Sequence, residues 1–164
     1  MTDETLQQPQ HKTVAIFDNY QEIISDDKLA YFENAPSITL HIAPQNAPIV
    51  GEDGRDMGKS LMGHAFYTIR NENPKTGKFE SITAGLSPGE DWDSVKDNLS
   101  FNDHIPYPTA SSLTIVSQNP QFLMDLDMVF QKTVDYRDGK IQPPSYLYRD
   151  NTDSTPCRQS DRVD

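Results

Sequence analysis

Apolar and polar positions alternate most clearly in three stretches. Ser37-Ile38-Thr39-Leu40-His41-Ile42 has the two-residue period of a half-buried strand, and Ala43-Pro44 closes it because proline brings no amide hydrogen to a ladder. Leu61 to Arg70 and Phe79 to Leu86 are rich in aromatic and β-branched residues, and Asn71 to Lys78 between them is dense in turn formers. The pattern predicts an antiparallel hairpin with His64, Phe66 and Thr68 on one face and Ala65, Tyr67 and Ile69 on the other. Ser112 to Val116 predicts a further short strand. The period then changes. Asn119-Pro120 has the cap and first-turn residues of a helix, and Phe122, Leu123, Leu126, Val129, Phe130 and Val134 form its apolar stripe. Gly139 is its expected terminator. Val14 to Phe17 fits either a strand or a helix, and Ile23 to Phe32 reads as weakly helical. Gln45 to Lys59 and Ser87 to Pro108, punctuated by proline and glycine, read as long loops.

This order predicts an α+β fold in which a small antiparallel sheet has one long amphipathic helix packed on a face. Residues 1–12 are expected as a flexible N-terminal arm, 13–148 as a single α+β domain and 149–164 as a polar C-terminal tail. A length of 164 residues suits one domain. The chain carries 25 acidic against 14 basic residues, a formal charge of −11, which argues against a nucleic-acid partner and against attraction to anionic membranes. No apolar run approaches the ~20 residues of a spanning helix, so membrane insertion is not expected. Met1-Thr2-Asp3-Glu4 lacks the basic and apolar blocks of a secretory signal peptide, which predicts synthesis in the cytoplasm. Cys157 is the single cysteine, which leaves no intrachain disulfide and no multi-thiolate zinc site.

Few residues are candidates for chemistry. Gly58-Lys59-Ser60 resembles the end of a phosphate loop, but the spacing puts Asp53 where glycine is required, so a solvated loop is expected instead. His64 follows Gly63 at the start of a strand, and a glycine there lets another backbone or a ligand approach closely. His41 lies mid-strand and would neighbour His64 if the two strands pair, while His104 reads as surface and His11 as part of the arm. His41, His64 and a carboxylate such as Asp53 or Asp56 would make a two-histidine, one-carboxylate metal set, although no spacing fixes that geometry. Cys157 follows Asn151-Thr152-Asp153-Ser154-Thr155-Pro156 and reads on its own as a free thiol in a polar tail. A histidine brought beside it would turn the thiol into a nucleophile.

Taken in order, Leu40-His41-Ile42-Ala43-Pro44, Gly63-His64-Ala65-Phe66, Thr83-Ala84-Gly85-Leu86-Ser87-Pro88-Gly89, the helix, Pro143-Pro144-Ser145-Tyr146-Leu147-Tyr148 and the late Asn151 and Cys157 resemble circularly permuted papain-like amidases. These are relatives of the NlpC-type peptidoglycan endopeptidases, and similar domains occur among bacterial cell-wall-degrading toxins, including type VI secretion effectors. The resemblance spans about residues 37–157 and implies a cysteine amidohydrolase or endopeptidase acting on peptidoglycan peptides, with no cofactor and no metal. It places the general base on His64 and the nucleophile on Cys157, with Ser81 or Thr83 as the polar orienter. It further implies an antibacterial effector exported by a dedicated secretion system to a target periplasm, with an immunity protein as a second partner. Two features depart from the family pattern: five residues separate Asn151 from Cys157, and only Arg158 to Asp164 follow the cysteine. Two other function classes fit the residues. One is an acidic binding or inhibitor module for a basic partner, steered by the charge of −11. The other is a metal-dependent hydrolase using His41 and His64.

Overall fold

The computed structural model of the protein describes residues 8–87 and 98–142. Its main element is a seven-stranded sheet in the order β2-β1-β9-β3-β6-β7-β8. The strands are β1 (His11–Ile16), β2 (Gln21–Ile24), β3 (Ser37–Ala43), β6 (His64–Asn73), β7 (Lys78–Ser87), β8 (Asn98–Ser100) and β9 (Ser111–Ser117). A separate hairpin pairs β4 (Pro48–Val50) with β5 (Asp56–Lys59), a 3-10 stretch covers Asp26–Phe32, and α1 spans Pro120–Arg137. The fold is α+β, as expected, but the sheet is mixed rather than antiparallel, because β1 runs parallel to β9.

The β6–β7 hairpin forms because Pro74 to Gly77 turns the chain, with Gly77 at φ +64° in the region where a side chain is strained. Its register, Tyr67 opposite Ala84 and Ile69 opposite Ile82, lays an apolar strip along one face. On that strip α1 buries Leu126, Phe130 and Val134 against Ile69 and Ile82, with Ile38, Tyr67, Phe101 and Phe122 packed around them. Asn119 caps the helix, its side-chain oxygen accepting from the amides of Gln121 and Phe122. Inside the seam Thr133 is buried but satisfied, since it donates to the Val129 carbonyl at 2.8 Å and meets the Tyr67 hydroxyl at 3.0 Å. Val129, expected in the stripe, is 38% exposed. The helix rests mainly on β6 and β7.

The opposite face carries a row of threonines between two apolar clusters, Ala15, Ile24 and Val116 on one side and Phe66 with Ala43 on the other. Thr13, Thr114, Thr39, Thr68 and Thr83 stand directly across from one another on five successive strands. Beside that row runs Ser112, His41, Phe66 and Gly85, and on its other side Val116, Ser37, Arg70 and Ser81.

Three sequence expectations need correction. The arm expected over 1–12 ends early, because His11 and Lys12 pair with Ser112 and Leu113 of β9 and so gain backbone partners. The stretch Ile23 to Phe32, read as weakly helical, splits into the end of β2 and the 3-10 turn. The long loop expected over 45–59 contains the β4–β5 hairpin, a two-stranded sheet of its own.

Candidate functional site

His64 is placed by its neighbour. Gly63 has φ +80°, and a side chain there would put Cβ 2.7 Å from the Ala43 carbonyl oxygen. Only glycine lets the start of β6 come this close to the end of β3, where His64 stands opposite Ala43. The segment 101–110 then lies over the imidazole and brings in two side chains. The Tyr107 ring stacks on the His64 ring with centroids 4.7 Å apart at 25°, and Phe66 lies on the same face with centroids 5.8 Å away. Asp103 Oδ2 accepts from His64 Nε2 at 2.8 Å, and only 10% of the His64 side chain and 4% of the Asp103 side chain remain exposed.

A second glycine makes room for that carboxylate. A Cβ on Gly85 would fall 1.8 Å from Asp103 Oδ2 and 2.9 Å from Phe66 Cβ, so the missing side chain of β7 is the seat of Asp103. Ala43, Ala47, Phe66 and Ala110 close the apolar floor beneath the pair, with Tyr107 packed against them. Burial pushes the Tyr107 phenol above its ordinary value; the hydrogen bond with Ser60 opposes this and the negative Asp103 adds to it. Tyr107 therefore stays neutral around His64.

The chemistry of the pair follows from hydrogen-bond sense. An ionised carboxylate only accepts, so Nε2 carries the proton and, in the neutral ring, Nδ1 presents a lone pair. Nδ1 takes no hydrogen bond from the described residues. A histidine so held has a fixed tautomer, a fixed ring plane and one nitrogen ready to accept a proton. The start of β6 also borders a cleft of about 390 Å³, but this opens on the α1 face of the sheet, among Ala65, Tyr67, Leu86 and, from the last turn of α1, Tyr136, whereas the imidazole lies on the opposite face with Phe66.

Other sequence candidates fall elsewhere. His41 stands across from Phe66 and stacks on it with centroids 4.5 Å apart at 8°, but its Nε2 is engaged by the Thr68 hydroxyl at 2.9 Å. Asp53 pairs with Arg55 at 2.8 Å and Asp56 accepts the Gly58 amide, both on the exposed β4–β5 hairpin. Among the described residues no three of His, Cys, Asp and Glu converge as metal ligands, so His41, His64 and a loop carboxylate do not form the set considered from sequence. Ser81 stands opposite Arg70 and Thr83 opposite Thr68, four and more positions along β6 from His64; Asp103 holds the imidazole instead. His104 is exposed, as expected. Cys157 lies outside the described residues.

Sequence reasoning missed Asp103. The available signal was the run Asp103-His104-Ile105-Pro106-Tyr107-Pro108, in which two prolines stiffen a segment holding an acid and an aromatic. No protein-family model, curated protein or solved structure matches the chain.

Proposed function

We propose that the protein is a cysteine amidohydrolase that cleaves peptide bonds of the bacterial cell wall, with His64 as general base and Cys157 as nucleophile. The buried His64–Asp103 pair carries the reading, because it is the arrangement a proton acceptor needs: one nitrogen tied down and the other free. Asp103 is a positioning residue in this scheme, fixing the ring and stabilising the imidazolium when it forms.

Chain geometry supports the partnership with Cys157. α1, about 27 Å long at 1.5 Å per residue, returns the chain to the end of the sheet where β6 begins, Tyr136 of its last turn bordering a cleft there on the face opposite the His64 imidazole. Fifteen steps lead from Gln142 to Cys157, and a chain of that length spans up to ~50 Å. The proposed mechanism requires that this length bring the sulfur to Nδ1. In the reaction Nδ1 takes the thiol proton and the thiolate adds to the amide carbonyl. The amine leaves with the proton from the imidazolium, and water, deprotonated by the same nitrogen, then releases the thioester as a carboxylic acid. The resemblance to permuted papain-like amidases supplies the substrate class and the exported, antibacterial role, with an immunity protein as the companion that restrains the enzyme in the cell that makes it.

The test is cleavage of purified muropeptides by the full chain. Cys157→Ala is expected to abolish turnover and His64→Ala to lower it by roughly 10²–10⁴-fold, the usual worth of a positioned base. Full turnover by Cys157→Ala ends the thiol mechanism. An inert wild-type enzyme that instead captures a basic protein points to the acidic binding module.

A further inference from the structure

On the face of the sheet opposite α1 a groove of about 250 Å³ opens between the threonine row and the 3-10 stretch. Thr39, Thr68, Thr114 and Arg70 line it from the strands, and Val116 with Leu29 and Phe32 of the 3-10 stretch forms its apolar side. The threonines are half-buried, and their hydroxyls pair across strands at 2.9 Å, Thr39 with Thr114 and Thr68 with Thr83, the Thr68 hydroxyl also meeting His41 Nε2 at 2.9 Å. Each hydroxyl has one donor and two acceptor positions, so pairing leaves capacity for a ligand's own hydroxyls.

Arg70 gives the groove its charge. Its Nη2 donates to Asn34 Oδ1 at 3.3 Å and its guanidinium lies 5.9 Å from the Phe79 ring centroid. Among the described residues no carboxylate pairs with it, in a chain that carries 25 acids. Glu33 also borders the groove, but it is exposed and makes no ion pair with Arg70. An arginine oriented by an amide and a ring, with its charge left over, matches the planar fork that a carboxylate accepts. The volume lies below the roughly 300–1,000 Å³ of sites for drug-sized ligands, which points to a ligand of monosaccharide size.

We propose that this groove binds a small hydroxylated carboxylate of the sugar-acid class, Arg70 holding the carboxylate and the threonine row its hydroxyls. The inference stands apart from the amidase reading, since His64 does not line the groove. It is tested by titrating gluconate, glucose and acetate into the isotopically labelled full chain and following backbone amide resonances. Gluconate is expected to shift Thr39, Thr68 and Arg70 saturably and more tightly than glucose or acetate. Arg70→Gln is expected to weaken gluconate by roughly 10–100-fold, the scale of a lost charge-assisted hydrogen bond, with Arg70→Lys intermediate and glucose unaffected by either. Absence of a saturable shift with gluconate, equal binding to wild type and Arg70→Gln, or acetate binding as tightly as gluconate would each overturn the proposal.

Discussion

At His64 a single carboxylate decides the tautomer: Asp103 Oδ2 stands 2.8 Å from Nε2, which leaves the lone pair of the neutral ring on Nδ1. His41, two strand positions from the same corner, shows what the fold does to an imidazole without a carboxylate. Burial holds its pKa below the ordinary 6.5, and the His11 and His104 imidazoles push the same way. The sign of the resulting pH dependence is fixed. With the folded value below the unfolded one, the unfolded chain takes the proton first, so the His41 contribution is complete above pH 6.5 and is lost as pH falls through the folded value. His41→Gln, which can still bond Thr68, is expected to flatten the loss of stability in the window just below pH 6.5. Denaturant melts of both proteins across that window check it, and parallel curves would show that His41 is equally easy to protonate in the folded and unfolded chain.

At the scale of elements, the site is made by docking segment 101–110 onto β7. The contact needs a hole in the strand, and Gly85 provides it. Gly85→Ala is expected to push Asp103 off the imidazole, costing roughly 1–3 kcal/mol as an overpacked contact and lowering muropeptide turnover along with it. A variant that melts and cleaves like wild type would show that Asp103 does not need this seat. The elements themselves were unevenly legible. The β6–β7 hairpin and α1 could be read because turn residues, alternation and the Asn119 cap agree with one another. Asp103 could not, since its role depends on a contact with His64 thirty-nine residues away, and an acid in a polar loop has the same local signature whether it is solvated or buried. Gly85 was visible only as a glycine in a strand; what it accommodates comes from another segment.

Across the whole molecule, the α+β class followed from the order of strand and helix patterns, whereas the mixed seven-stranded sheet did not. The parallel pairing of β1 with β9 joins residues 11–16 to 112–117, and long-range pairing leaves no mark in either segment's own pattern. The same separation bears on the proposed function: His64 and Cys157 are 93 positions apart, and the proposed mechanism requires that they meet. The rate of Cys157 alkylation against pH, in wild type and in His64→Ala, measures that meeting directly. The account expects a reactive thiolate in the wild type well below the free-cysteine pKa of about 8.5, returning to that value when His64 is removed. Identical profiles near 8.5 in both proteins would contradict it.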